Sequence, residues 1–328
     1  ISIKDLKEAG TEYEDKTLIK TGKYVGDKWG GKYLRAPKFF LDIYNSNKVK
    51  PFSKIVDIKY GVKTGIVKFF CLTKEKAESL KIEKEFLYPA IISSQYINNL
   101  GVNSTHYIFS SSLNKEEMKG TKAIEYIEWG ENQKNENNIL WKNIASVSGR
   151  ERWYSINGEN IDAIFMRFWN QRFFVPVASE AMWCSDNFCY GLFKINREIG
   201  KILFNSTFYF LQIELFGNSN QGQGVLTTYM EYDYPFIRMP EINVDLNYAK
   251  DIFLKLCKRD IRDIFEECGI DPKSEIPIEE QEPKPLPDRA ELDKIVFDAL
   301  ELTEEERKEV YRAVCRLVWN RISKARSV

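Results

Sequence analysis

The residues best suited to chemistry in this 328-residue chain are basic and amide side chains set in three polar loops. Gly61-Val62-Lys63-Thr64-Gly65 lies between two strand-like runs, with Lys59 before it and Lys68 after it. Glycine on both sides lets the backbone approach a phosphate, while Lys63 neutralises it and Thr64 donates a hydrogen bond. A plain glycine-rich turn would read the same way. Ser148-Gly149-Arg150-Glu151-Arg152-Trp153-Tyr154 puts Arg150 and Arg152 beside an aromatic pair. That arrangement suits phosphate or guanine contact, and equally a structural arginine stacked on Trp153. Asn218-Ser219-Asn220-Gln221 is a run of amides, in which Asn218 and Asn220 are candidates for reading adenine edges or for closing a turn.

Catalytic patterns are missing from the same sequence. A methyltransferase using S-adenosylmethionine needs a glycine-rich turn after a strand. For adenine amino groups it also needs an Asn- or Asp-Pro-Pro-aromatic motif to hold the amine, and no Pro-Pro dipeptide occurs here. Gly222-Gln223-Gly224 follows a helical stretch and has Thr227 where a third glycine would stand, so a dinucleotide fold is a poor reading. The Glu-x-Lys pairs at Glu117 to Lys119 and Glu306 to Lys308 fall in helical or loop sequence, unlike a nuclease strand. The single histidine, His106, has no nucleophile partner and reads as a strand residue with a structural hydrogen bond. Six cysteines without a CxxC pair read as small buried thiols in a reducing cytoplasm, and no metal site is expected. The chain itself is therefore expected to have no catalytic, cofactor-binding or metal-binding residues.

With 43% hydrophobic and 14% aromatic residues the chain can bury a core, and no signal peptide is expected. The most apolar long segment, Ile199 to Phe216, includes Lys201, Asn205, Gln212 and Glu214, which excludes a membrane span and implies one buried helix. Net charge is zero, yet residues 1 to 70 hold fifteen Lys/Arg against eight Asp/Glu, and residues 263 to 310 hold six against seventeen. One end is suited to phosphate and the other is not. The chain begins at Ile1 inside a polar stretch, as a fragment of a longer protein would.

Four segments are expected to position the loops. Residues 1–36 are a polar, glycine-containing connector, and 37–246 a recognition domain. Within the latter a helix is expected from Pro37 to Asn45, and helices at Lys74–Leu80 and Thr121–Trp129. Strands are expected at Lys54–Tyr60, Val67–Leu72, His106–Ser110, Arg152–Ile156, Ala163–Trp169, Arg172–Val177 and Asn187–Ile195. Residues 247–287 comprise a helix from about Tyr248 to Phe265 and a linker stiffened by five prolines, too proline-rich to pack as regular structure. Residues 288–328 read as a helical hairpin, with capping boxes at Asp288/Glu291 and Thr303/Glu306. Its apolar stripes, Leu292, Ile295, Val296, Ala299 and then Val310, Val314, Val318, Ile322, face the main domain or a missing neighbour. No internal repeat or strict heptad is present. The fold class implied is α+β: an irregular, largely antiparallel β-rich domain with inserted helices, then a C-terminal helical hairpin.

In order along the chain, several stretches resemble a known family. They are Lys32-Tyr33-Leu34-Arg35-Ala36-Pro37, Gly61-Val62-Lys63-Thr64-Gly65 with Phe69-Phe70, Tyr126-Ile127-Glu128-Trp129-Gly130-Glu131, and Arg152-Trp153-Tyr154. Asn218-Ser219-Asn220 leading to Gly222-Gln223-Gly224-Val225-Leu226 follows, then Leu292 to Phe297, Thr303-Glu304-Glu305-Glu306-Arg307 and Lys324-Ala325-Arg326. The series resembles the TaqI-like C-terminal specificity domain of type II adenine-specific DNA methyltransferases and fused restriction-methylases. That resemblance implies duplex DNA as partner, for which the polar loops offer Lys59, Lys63, Thr64, Lys68, Arg150, Arg152, Asn218 and Asn220 as candidate contacts. It also implies an upstream methyltransferase domain of the same parent chain, which would bind S-adenosylmethionine and flip the target adenine. The departure is the missing catalytic domain. Two other readings stay open: the specificity subunit of a type I restriction system, and a protein-interaction domain that does not bind DNA. No membrane partner is implied, and the expected location is the cytoplasm.

Overall fold

The computed structural model describes residues 34–219, 224–229 and 233–326, so all but 34–36 of the expected connector and the amides Asn220 and Gln221 lie outside the described residues, as do Gly222 and Gln223. Helix α1 (Lys38–Tyr44) is followed by β1 (Val49–Pro51) and β2 (Val56–Tyr60). Next come α2 (Val67–Phe70), β3 (Cys71–Thr73) and α3 (Lys74–Leu80). Thr73 ends the strand and starts the helix, because its hydroxyl accepts the free Lys76 N–H at 3.1 Å. Strands β4 (Leu87–Ile91), β5 (Gly101–Val102) and β6 (His106–Phe109) lead to α4 (Lys122–Glu131), capped likewise by Thr121, and to α5 (Ala145–Ser148). Five short strands follow: β7 (Ala163–Phe165), β8 (Phe168–Trp169), β9 (Val177–Ala178), β10 (Trp183–Cys184) and β11 (Cys189–Phe193). Helices α6 (Arg197–Phe204) and α7 (Thr207–Phe216) come next, then β12 (Asn218–Ser219), β13 (Leu226–Thr227) and β14 (Arg238–Pro240). The remainder is helical: α8 (Leu246–Cys257), α9 (Ile264–Cys268), α10 (Pro287–Ala299) and α11 (Glu304–Arg326). This is an α+β fold with mostly antiparallel sheets and a helical C-terminal segment, as the patterning implies.

Two cores form because two sheets each need a cover. The sheet β2-β11-β7-β9-β5 packs with α6, α7, α10 and α11, and every residue of α7 is buried. The sheet β10-β4-β6-β3 packs with α2 and α4 around Phe69, whose ring stacks on Tyr126 at 4.9 Å and lies 4.5 Å from Trp153. The stripe Leu292, Val296, Val310, Val314, Val318 and Ile322 is buried in the first core, so the C-terminal helices close the main domain itself. α7 is held at both ends, at its start by α10 and near its end by Arg35. Asp293 on α10 accepts the Thr207 N–H at 2.7 Å at the helix start, and Arg35 donates to the Leu215 carbonyl at 2.6 Å near its end. Both charges complement the helix dipole.

The acidic excess at 263–310 is largely consumed in ion pairs. Glu267 bridges Arg259 at 2.6 Å and Arg289 at 3.0 Å, Asp288 also holds Arg259, Glu291 holds Lys255 and Glu282 holds Lys308. Thr303 and Glu306 form the expected capping box, with Glu306 Oε2 accepting the Thr303 N–H at 2.8 Å. The Asp288/Glu291 box does not form: α10 starts at Pro287 with Leu286 as its N-cap, two residues before the expected cap, and Asp288 serves Arg259 instead.

Several expected elements differ, each for a local reason. The helix expected over 199–216 is two helices, because Asn205-Ser206-Thr207 are cap formers. Ser206 Oγ accepts the Tyr209 N–H, and the Asn205 amide turns away to pair with both backbone groups of Val175 at 2.9 and 3.0 Å. That pairing replaces a strand partner, so of Arg172–Val177 only Val177 is in a strand. Ser110 does the same for Ile156, donating to its carbonyl at 2.9 Å and accepting its N–H at 2.8 Å, and no strand forms at Arg152–Ile156. Val67–Leu72 splits into α2 and β3, since a helical turn places both Phe69 and Phe70 in the core. The helix expected to reach Phe265 stops at Cys257, and Asp263 caps a separate α9. The proline linker is partly packed: Ile278 is buried, Ile278–Glu280 forms a 3-10 turn, and Lys284 N–H reaches the Cys268 carbonyl. Among the described residues no helix is long and apolar enough to cross a membrane.

Candidate nucleic-acid interface

The loop after β2 is where the chain crosses from the first sheet to the second core. Gly61 N–H bonds the Phe188 carbonyl at 3.0 Å and Val62 N–H the Cys184 carbonyl at 2.8 Å. The crossing is so close that a Cβ on Gly61 would stand 2.0 Å from the Ser185 carbonyl oxygen, which dictates glycine there. Gly65 then turns with φ +75°, again a glycine conformation.

Arg150 fixes the loop between these glycines. Its Nη2 donates to the carbonyls of Lys63 at 2.9 Å and Thr64 at 3.0 Å, and its guanidinium lies 5.2 Å from the centre of the Phe70 ring. Burial pushes its pKa below the ordinary arginine value, and Nη1 is buried with no hydrogen-bond partner. Because two loop carbonyls turn inward, the backbone N–H groups of Lys63, Thr64, Gly65 and Ile66 find no acceptor among the described residues. Lys63 and Lys68 are exposed and make no ion pair among the described residues, whereas Thr64 is buried. The loop thus combines backbone donors that have no acceptor among the described residues, at exposed Lys63 and Gly65 and buried Thr64 and Ile66, with the unpaired charges of Lys63 and Lys68, a combination suited to phosphate oxygens.

Lys63, Arg150 and Arg152 border one open cavity of about 450 Å³, which Ser112 and Asn157 also line. Arg152 pairs with its neighbour Glu151 at 2.6 Å, and Glu151 is largely exposed, so the pair is weak and readily exchanged. Lys59 is differently placed. It is bound to Glu159 at 2.5 Å, and Glu159 also accepts the Tyr190 hydroxyl at 2.6 Å. Bonds to Lys59 and then to Tyr190 hold the Glu159 carboxyl below its ordinary pKa, and the Lys59 charge is already answered. Asn218 lies on another sheet, β12-β13-β8, where its amide donates to both carboxylate oxygens of Asp233 at 3.0 and 3.1 Å. Lys63, Arg150 and Arg152 therefore converge, with Lys68 just beyond the loop, and Asn218 stands apart.

Sequence reasoning missed a neighbouring group. Arg167 lies over the rings of Tyr60 and Phe168 at 5.6 and 5.9 Å, and Tyr60 immediately precedes the loop. The signal was the run Arg167-Phe168-Trp169, which reads as a core strand until the alternation of its faces is known. His106 is a structural strand residue whose Nδ1 contacts Thr105 Oγ1 at 2.9 Å, with burial lowering its pKa. Cys71, Cys184, Cys257, Cys268 and Cys315 are free thiols, and Cys184, Cys189, Cys268 and Cys315 are buried. Among the described residues no cluster of three or more His, Cys, Asp or Glu is arranged to hold a metal ion.

Against known proteins, the sequence profile of the C-terminal domain of the type II methyltransferase M.Eco57I matches residues 27–243. No curated protein matches the chain in sequence. Among solved structures, the type IIG restriction endonuclease BpuSI has a similar fold, with a TM-score of 0.59 and 13% identity. The match covers 95% of this chain and 36% of that one, so the chain spans about a third of that enzyme's length.

Proposed function

The chain belongs to the family of the C-terminal domain of the type II methyltransferase M.Eco57I, and from that premise we propose that it recognises duplex DNA for an adenine-specific restriction-modification methyltransferase. In this reading an upstream domain of the parent protein binds S-adenosylmethionine and carries out methyl transfer in the cytoplasm. This chain grips the duplex from the other side. Opening a duplex to expose a base costs a few kcal/mol, which the recognition part helps to offset through contacts it makes with the DNA.

The observation that carries the reading is the set of Lys63–Ile66 backbone amides without acceptors among the described residues, together with Lys63 and Lys68, beside the cavity that Arg150 and Arg152 border. Roles divide by geometry. Lys63 and the loop amides suit phosphate and set register; Arg152, whose planar fork is tied only to an exposed carboxylate, suits a guanine edge. Arg150 commits Nη2 to the loop itself and positions it.

The test is a fluorescence-anisotropy titration of labelled duplexes at a series of salt concentrations. Affinity is expected to fall steeply as salt rises, and Lys63→Gln is expected to weaken binding to all sequences while reducing the salt slope by about one. Failure to bind duplex DNA even at low salt refutes the reading.

A further inference from the structure

We propose that Arg167, Phe168 and Tyr60 form a stacking site for an unstacked DNA base, placed next to the phosphate-facing loop. Strand alternation pins the arrangement. Trp169 on β8 is fully buried, with its indole N–H donating to Thr228 Oγ1 at 3.0 Å, so its neighbour Phe168 must point outward, where 63% of it is exposed. A phenylalanine on a folded surface gains nothing from water, and this one is not left bare: the Arg167 guanidinium lies 5.9 Å from its ring centre and 5.6 Å from that of Tyr60.

Arg167 makes no ion pair among the described residues. Its charge is held by aromatic faces, and no carboxylate competes for its donors. Tyr60 is 43% exposed and is joined directly to Gly61, so the aromatic group continues the surface that starts at Lys63. Interleaved aromatic rings and an uncompensated guanidinium match a polyanion whose bases carry π-faces. Aromatic rings and arginine also occur at protein interfaces; the unpaired charges of Lys63 and Lys68 close by in the chain are what favour a polyanion here. The site therefore takes the face of a base that has left the stack, with Arg167 facing the adjoining phosphate. This rests on the DNA-recognition reading above and adds to it a preference for locally opened duplex.

The experiment uses the whole chain and two duplexes that differ only in one unpaired 2-aminopurine. The bulged duplex is expected to bind roughly tenfold more tightly than the paired one, with quenching of 2-aminopurine fluorescence as the base stacks. Phe168→Ser is expected to abolish both the preference and the quenching while binding the paired duplex within about twofold of the unaltered chain, and Phe168→Trp to retain both. Thermal melting of the two variants verifies that they fold. Unchanged preference and quenching in a folded Phe168→Ser protein overturn the proposal, as does the absence of any preference in the unaltered chain, and in either case salt-dependent binding of paired duplex leaves the recognition reading standing. Loss of all DNA binding by the unaltered chain overturns both. If Phe168→Ser leaves DNA binding intact but weakens association with the upstream methyltransferase domain, the patch is a protein contact and the proposal falls.

Discussion

Replacing Arg150 with alanine removes two hydrogen bonds from a cationic donor, to the Lys63 and Thr64 carbonyls at 2.9 and 3.0 Å, and a guanidinium–ring contact with Phe70 at 5.2 Å. Hydrogen bonds to charged groups contribute about 1.5–3 kcal/mol each when buried. One nitrogen makes both bonds and the side chain is only partly buried, so the lower end applies, and the loop is loosened by roughly 2 kcal/mol. If that conformation must be restored before phosphate can dock, affinity falls by about tenfold to thirtyfold. Arg150→Lys rescues little, because a single ammonium on a flexible stem reproduces neither the planar fork nor the ring contact. The assay is competition anisotropy against a panel of single-base-substituted duplexes. Arg150→Ala is expected to weaken all of them equally and leave the base-preference profile intact. Arg152→Ala is expected to cost about 1–3 kcal/mol at one base pair and relax discrimination there. The reasoning is refuted if Arg150→Ala alters preference at a single base pair, which makes it a reader, or if it leaves affinity unchanged, which means that the loop needs no clamp.

Two other perturbations test the frame that holds the loop. Gly61→Ala places a Cβ 2.0 Å from the Ser185 carbonyl oxygen and 2.8 Å from that of Cys184, backbone atoms that cannot yield without breaking the Val62–Cys184 bond. A stability loss of at least about 3 kcal/mol is expected in urea denaturation, and a variant of unaltered midpoint contradicts the packing described. At Glu267 burial pushes the carboxyl pKa up, but Arg289 and Arg259 outweigh it and hold the group down at about 2. A depressed acid contributes stability that is present above its unfolded pKa of about 4.3 and is lost as pH falls towards the folded value. Glu267→Gln is therefore expected to cost about 3–5 kcal/mol near neutrality, where it leaves the buried Arg289 without its ion-pair partner and Arg259 with Asp288 alone. The gap to the unaltered chain should close as pH falls from about 4.5 to about 2, since the protonated acid becomes an isostere of the amide. A gap that stays constant over that range would show that the triad is not what stabilises this end.

Elements fixed by neighbours in sequence were legible. The helix at Lys74–Leu80 matches its expected bounds and α4 lies close to them, because Thr73 and Thr121 supply caps within three residues; the Thr303/Glu306 box is equally local. What sequence could not show was backbone pairing taken over by distant side chains. Asn205 replaces a strand at Val175 and Ser110 replaces one at Ile156, substitutions that no alternation pattern records. The site divides along the same line. The residue types in the 61–65 loop and at 150–152 marked a polar, basic surface, and the fold brings Lys63 and Arg150 together. The inward orientation of Arg150, the answering of Lys59 by Glu159 and the engagement of Asn218 by Asp233 depend on chain-distant partners. Phe168 escaped notice because Phe-Trp in a β-rich run looks like core, and only the burial of Trp169 reveals which of the two faces out.

The central claim, that the surface around Lys63 and Lys68 meets the duplex, is tested most directly by lysine acetylation footprinting read by mass spectrometry. Lys250 and Lys273, exposed on α8 and in the proline-rich segment, serve as internal references. Saturating duplex DNA at low salt is expected to shield Lys63 and Lys68 while the references react as before, with the shielding lost as salt is raised. Unchanged reactivity of Lys63 and Lys68 in a chain saturated with DNA would place the duplex elsewhere and contradict the account.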